Sequence, residues 1–356
     1  MIVVTGGAGF IGSHFIHAWL SACTEPILNI DKLSYAGNLD NLQSIAHHPQ
    51  YQFVQADILD RQTLSTLLTQ HQPRAVIHFA AESHVDRSIH GADDFIQTNI
   101  VGTFCLLEEL RAYHQQLTAC AQAQFRLLHV STDEVYGSLT PQAAPFAETD
   151  AYQPNSPYAA SKAASDHLVR AWYQTYGLPV ITTHCSNNYG AYQFPEKLIP
   201  LMILNAISGK DLPIYGDGQQ IRDWIYVQDH CAALRCILQQ GTVGEVYNIG
   251  GEYEVPNLTV VQHICDVLDE LKPRIDGQSY TTQIRFVTDR AGHDRRYAVN
   301  THKLKQQLGF IPQTDFLTGL RQTILWYLEH PDWLARVQSG AYRTWIQTQY
   351  HQGNLT

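Results

Sequence analysis

Patterned cysteine is missing from this 356-residue chain: seven cysteines are scattered along it, with no CxxC pair. Such a set reads as reduced thiols and argues against a disulfide scaffold or a Cys/His finger. Long apolar runs are also missing, since none approaches the roughly 18 residues that a membrane span needs. The first strand is expected at Ile2, which leaves no room for a leader with an apolar stretch and cleavage site. A cytoplasmic protein without a membrane partner is expected. Positive charge is scarce, with 23 Lys and Arg against 33 Asp and Glu and a net charge of -10. That balance argues against a nucleic-acid partner, which needs a basic face. It leaves room for a small anionic ligand held by helix N-termini and a few guanidinium groups. Eighteen histidines are present, but no HExxH or similar ligand spacing organises them, so no metal is expected.

What is present is a regular alternation. Short apolar runs occur at Ile2-Val3-Val4-Thr5, Ile27-Leu28-Asn29-Ile30, Tyr51-Gln52-Phe53-Val54, Ala75-Val76-Ile77-His78-Phe79, 125–130 and 179–183. Helical patterns lie between most of them, including 94–115 and 158–176. Strands alternating with helices predict an α/β fold with a parallel sheet covered on both faces. After Gly190 prolines, glycines and aromatics grow denser and the alternation loosens. The expected division is a large domain over 1–190 and a smaller α/β substrate domain over 191–356, with Val246-Tyr247-Asn248-Ile249 a candidate to rejoin the main sheet.

Gly6, Gly9 and Gly12 close the first strand and open the first helix in a GxxGxxG spacing. A dinucleotide site needs those glycines for a tight turn, close approach to a pyrophosphate and close helix packing. Asp31 ends the second strand, where an acid can accept hydrogen bonds from ribose hydroxyls and favour NAD over NADP. Lys32 beside it would suit a 2′-phosphate, so NADP stays open at this position. Asp57-Ile58 and Ala80-Ala81-Glu82-Ser83-His84 follow later strands, at the sheet edge where ligands of this Rossmann-type, doubly wound architecture bind.

Tyr158 and Lys162 are four apart in a helical pattern, so both reach one site. A phenol with a pKa of about 10 is a poor base. The neighbouring ammonium is expected to lower that value. Ser131-Thr132-Asp133-Glu134-Val135-Tyr136-Gly137 follows the fifth strand and opens onto the same crevice. Its two adjacent carboxyls suit an acid and a base serving two atoms of one substrate.

These three motifs together resemble the extended short-chain dehydrogenase/reductase family and, within it, the 4,6-dehydratases that act on dTDP-glucose. Further matching segments are Asp31 to Asn38, Ala80 to Ser88, Cys185 to Gly190, Pro195 to Pro200, Gln220 to Trp224 and His293 to Tyr297. The likeness runs from residue 1 to about 330. It implies bound NAD, recycled each turn. It implies that Tyr158, assisted by Thr132, takes the C4 hydroxyl proton, that Glu134 removes the C5 proton and that Asp133 protonates the departing C6 hydroxyl. For the cofactor it points to Gly6, Gly9, Phe10, Ile11, Gly12, Asp31, Lys32, Leu33, Ser34, Asp57 and Ile58. Ala80, Ala81, Ser83, Thr98, Tyr158, Lys162 and Asn188 complete that set. For the nucleotide sugar it points to His84, Thr132, Asn187, Lys197, Leu198, Pro213, Ile214 and Tyr215, then Arg222, Asn257, Asp289, Arg290 and His293. Ala291 departs from the pattern, because relatives have proline before this glycine, and the change relaxes the loop. The resemblance also implies a homodimer built from helices near 98–115 and 158–176.

Other readings stay open on the residues alone. A UDP- or CDP-glucose 4,6-dehydratase would share these motifs, as would a sugar-nucleotide 4-epimerase except for the Asp-Glu pair. A non-catalytic NAD-binding regulator would not need Thr132, Asp133, Glu134, Tyr158 and Lys162 together. Whether the product leads to rhamnose or another deoxysugar is not written in the motifs.

Overall fold

The computed structural model describes residues 1–338. Six strands, β1 (Ile2–Thr5), β2 (Ile27–Asp31), β3 (Tyr51–Gln55), β4 (Ala75–His78), β5 (Arg126–Thr132) and β6 (Val180–Cys185), are joined by a seventh, Val246–Ile249. Across the sheet the order is Val246–Ile249, β6, β5, β4, β1, β2, β3, and every pairing is parallel. This is the doubly wound order, with its switch point between β1 and β4.

The side-chain alternation explains why the sheet is covered on both faces. Ile2 and Val4 of β1, Ala75 and Ile77 of β4, and Leu128 and Val130 of β5 enter one core. Residues of the alternate register, Val3, Val76 and Leu127, enter the opposite one. Helix α1 (Phe10–Ala22) seals the first face with Phe15, Ile16 and Trp19. Helix α2 (Arg61–His71) seals the second with Leu64, Leu67 and Leu68. Helix Val227–Gln240 comes from beyond Gly190 yet sets Leu234, Ile237 and Leu238 into the first core.

A separate core gathers Tyr189, Ile199, Trp224 and Phe316 with helix Asn257–Leu271. On that helix Val260, Val261, Ile264, Cys265 and Leu268 form one stripe at helical spacing. The chain passes between this core and the first sheet core more than once, and the cleft is lined from both, by Phe10 and Ile11 on one side and Tyr192 on the other.

The helical stretch expected over 94–115 is built from three pieces: Asp93–Phe95, a π-helical segment Ile96–Gly102, and Thr103–Gln116. The wide turn presents Thr98 to the cleft and sets Asn99 against Glu82, whose N–H and C=O it bonds at 2.9 and 3.0 Å. Gly102 packs so close to Ile58 that a Cβ would meet its side chain at 2.7 Å. No helix among the described residues is long and apolar enough to cross a membrane.

Ile237→Ala should destabilise the protein by about 2–5 kcal/mol, because this side chain is fully buried. Leu317→Ala, at a position 47% exposed, should stay within about 0.5 kcal/mol in the same denaturant titration.

Candidate active site

The cleft begins at the glycine turn. Gly6 has φ +74°, and a Cβ there would lie 2.5 Å from the Ala80 nitrogen. A Cβ on Gly12 would lie 2.4 Å from the Gly6 carbonyl oxygen. Both positions therefore admit only glycine. Gly9 caps α1 without a side-chain hydrogen bond, which leaves backbone N–H groups facing the cleft for an anion.

Asp31 accepts hydrogen bonds from the N–H groups of Ala8 at 2.9 Å and Leu33 at 2.8 Å. Burial raises its carboxyl above the usual range, and those two N–H groups oppose the rise. Each oxygen keeps a free lone pair, so a ribose diol can still be accepted. Lys32 turns away from it, donating to Thr98 Oγ1 at 3.0 Å and lying 3.8 Å from Glu82 and 3.9 Å from Asp57. With two carboxylates already around it, this ammonium is poorly placed to receive a 2′-phosphate. The residues present suit NAD. Phe10, Ile11, Ser34, Asp57, Ile58, Ala80, Ala81, Ser83 and Asn188 all line the same cleft. Leu33 is packed against the main core instead, contributing its N–H to Asp31.

Tyr158 and Lys162 enter the cleft from helix Pro157–Tyr176, and Thr132, Asp133 and Glu134 enter from the end of β5. Thr132 caps a 3₁₀ turn, Asp133–Tyr136, accepting from the Glu134 N–H at 3.3 Å. Asp133 is 2% exposed and its Oδ2 has no hydrogen-bond partner. Burial, then the Glu134 and Asp223 carboxylates, hold its carboxyl well above the ordinary range. Burial raises Glu134 as well, but Arg290, Lys197 and Arg222 pull it back. Both carboxyls are raised, but in unlike fields: Asp133 has two carboxylates adding to its burial, while Glu134 has three cations opposing its own, the kind of difference that separates an acid from a base.

The phenol departs from expectation. Burial, with Glu134 next, holds Tyr158 well above 10, while Thr132 works the other way. Lys162 does not offset this, because its ammonium is buried, donates to the Val130 carbonyl at 2.9 Å and is itself lowered by desolvation.

On the far side, Lys197 donates to the Ser83 carbonyl at 2.8 Å, with Asn187 also on the cleft wall. Arg222 donates to the Asp294 carbonyl at 3.0 Å and lies over the Tyr297 ring at 4.3 Å. Arg290 pairs with Asp86, and its buried Nε has no partner. His293 Nδ1 meets Asp289 at 2.6 Å, beside the Tyr215 ring. Asn257 opens helix Asn257–Leu271 with its side-chain oxygen unpartnered. His84 caps helix Val85–His90, and burial lowers it to about 3. Pro213 and Tyr215 flank Ile214 on strand Leu212–Tyr215, but Ile214 itself points into the second core, against which Leu198 also packs. Ala291 is exposed, and Gly292 at φ +62° completes its turn.

Sequence reasoning missed a link beside the cleft. Arg87, on helix Val85–His90, donates to Glu196 at 2.9 Å and lies over the Tyr35 ring at 3.9 Å, joining three segments far apart in the chain, and both partners line the cleft. All three residues lie in segments that carried the resemblance, but no spacing links positions 35, 87 and 196.

A glycine-cradled dinucleotide cleft with a Tyr-Lys pair and a buried acid pair defines a Rossmann-type, cofactor-using enzyme. The chain belongs to the GDP-mannose 4,6 dehydratase family, whose model matches residues 3–323. It is 54% identical to the dTDP-glucose 4,6-dehydratase of Shigella flexneri over 98% of each chain. The dTDP-glucose 4,6-dehydratase of Bacillus anthracis, solved in complex with NAD, is 45% identical with a TM-score of 0.83, covering 94% of this chain and 99% of that one. The Streptomyces venezuelae enzyme, also solved with NAD, is 42% identical with a TM-score of 0.86, covering 94% of this chain and 99% of that one.

The raised Asp133 carboxyl carries a stability consequence. As pH rises past the ordinary carboxyl range, the unfolded chain releases this proton while the folded chain retains it, so folding weakens with rising pH. Asp133→Asn removes that penalty. It should stabilise the protein at pH 7–8 by on the order of 1–3 kcal/mol, with the gain vanishing near pH 3 in thermal unfolding.

Proposed function

We propose that this chain is an NAD-dependent hydro-lyase that converts dTDP-glucose to dTDP-4-keto-6-deoxyglucose. The observation that carries the reading is the pair Asp133 and Glu134, adjacent in the chain, held in unlike fields and opening with Tyr158 onto one cleft. Bound NAD supplies the hydride acceptor at C4, the hydride donor to C6 and a positive ring charge that favours the Tyr158 phenolate. Tyr158 receives the C4 hydroxyl proton while Thr132 holds the C4 oxygen. The resulting ketone acidifies C5, and Glu134 removes that proton. Asp133, kept protonated by burial, delivers its proton to the C6 hydroxyl, which leaves as water. Glu134 can then return its proton to C5, so that the turn ends with a net loss of one water. Lys197, Arg222 and Arg290 supply the positive field for the diphosphate.

An epimerase moves hydride on and off C4 without losing water, so it has no use for a protonated Asp133 beside Glu134. Exposed Ile96, Phe104 and Tyr176, on the π-helical segment and on the helices Thr103–Gln116 and Pro157–Tyr176 packed with it, support a homodimer packed through that face. Seven free cysteines support a reducing, cytoplasmic setting.

Purified protein incubated with dTDP-, UDP- and CDP-glucose, without added NAD, should remove one water from dTDP-glucose alone by mass spectrometry. A product of unchanged mass would instead mean an epimerase. Glu134→Gln should still reduce the bound cofactor, read at its near-ultraviolet absorbance, yet lose water roughly 10²–10⁴-fold more slowly. Tyr158→Phe should show neither step, and rapid cofactor reduction in that variant would remove Tyr158 from the role of base.

A further inference from the structure

Behind the Tyr158–Lys162 pair lies a buried polar cluster that the steps above leave unused. Asp166 is one turn beyond Lys162 on helix Pro157–Tyr176 and is 3% exposed. Its Oδ1 accepts from His129 Nε2 at 2.9 Å, and its Oδ2 accepts from Ser131 Oγ at 2.9 Å and His184 Nε2 at 3.1 Å. His129 and Ser131 are two apart on β5, and His184 is the β6 residue paired with Ser131. All three side chains therefore rise from one face of the sheet. One carboxylate joins the helix of the Tyr-Lys pair to two strands.

The cluster also reaches the acid side. Tyr136 ends the turn that carries Asp133 and Glu134. Its hydroxyl lies 2.7 Å from His184 Nδ1 and donates to Asn248 Oδ1 at 3.0 Å. A continuous path thus runs from the Lys162 helix through Asp166 and His184 to the turn of the acid pair. None of Asp166, His129, His184 and Tyr136 lines the cleft. Burial works against the Asp166 carboxylate, yet hydrogen bonds from His129 and His184 outweigh it and hold the group well below the usual range. Asp166 is also the first influence opposing the desolvation of Lys162. A buried charge is seldom the most stabilising way to fill a core, so its presence here suits a role in geometry.

We propose that Asp166 is a positioning residue: through His184 and Tyr136 it locks the Tyr158–Lys162 helix to the Asp133–Glu134 turn. Resting on the dehydratase reading, this gives the acceptor at C4 and the acid–base pair at C6 and C5 one fixed separation around a single bound sugar. A misplacement of about 1 Å between such groups costs on the order of a hundredfold in rate.

The test uses the holoenzyme and two variants. Asp166→Asn should lower kcat per bound NAD by about tenfold to a hundredfold while leaving KM for dTDP-glucose within about twofold. Asp166→Glu, which keeps the charge, should recover part of the loss. Tyr136→Phe should still reduce its cofactor on mixing with substrate but lose water slowly. In Asp166→Asn and Tyr136→Phe, amide hydrogen exchange over 133–137 should quicken while β1 is unchanged. A merely structural role would lower the melting temperature and leave kcat per bound NAD as in the parent. That result, or unchanged exchange over 133–137 in both variants, overturns the proposal. If Asp166→Asn does not fold, Tyr136→Phe, which removes a single oxygen, decides alone. A parent enzyme that made no keto sugar would sink the dehydratase reading, while exchange over 133–137 would still decide the lock.

Discussion

Burial at the carboxyl end of β5 sets the ionisation of the groups that meet there. Asp133 is held well above the ordinary carboxyl range, Glu134 is raised but countered by three cations, and Tyr158 is pushed well above an ordinary phenol. Lys162 is pushed the other way. A parallel sheet makes this possible, because its strands are covered on both faces and its ends converge on one crevice. In open solvent the same four side chains would be two carboxylates, a phenol and an ammonium with ordinary acidities, and no division of labour would exist among them.

The parts of this arrangement that were legible in the sequence are those with local causes. Strand β1 could be read because Ile2 to Thr5 is short, β-branched and ends at glycine. The turn at Gly6 and Gly12 could be read because both positions tolerate no Cβ, a demand that one residue type meets. The Tyr-Lys pair could be read from helical spacing alone. What was not legible depends on groups far apart in the chain. The π-helical turn at Ile96–Gly102 carries Gly102 close against Ile58 and Asn99 against Glu82, contacts that no local spacing announces. The acidity of Tyr158 was expected to follow Lys162, four residues away, but it follows burial and Glu134, which spacing cannot bring together. Asp166 carries no signal in the sequence, because His129, Ser131 and His184 converge on it only in the fold.

Cofactor choice shows the same contrast at one position. Asp31 and Lys32 are neighbours, and by type they favour opposite ligands. The structure separates them by direction. Asp31 turns into the glycine loop, while Lys32 turns out toward Asp57, Glu82 and Thr98. Leu33, at φ +58°, makes the bend that follows them and donates its N–H to Asp31. A backbone conformation unusual for leucine therefore supports the Asp31 carboxylate on the cleft wall.

Adjacency of the two acids becomes useful only through the turn that carries them. In a strand, neighbouring side chains point to opposite faces of the sheet, so one acid would be lost to the far core. In a 3₁₀ turn with three residues per revolution, neighbours diverge by about 120° and can address two atoms of one ligand from the same wall. Asp133 and Glu134 stand on such a turn, entered through the Thr132 cap and left through Gly137 at φ +88°. A Cβ on Gly137 would lie 2.3 Å from the Gln153 carbonyl oxygen, so the exit is as constrained as the glycine turn at the other end of the cleft. The acid pair is thus a property of a short, closed piece of backbone, in which Thr132, Asp133, Glu134 and Gly137 act as one unit.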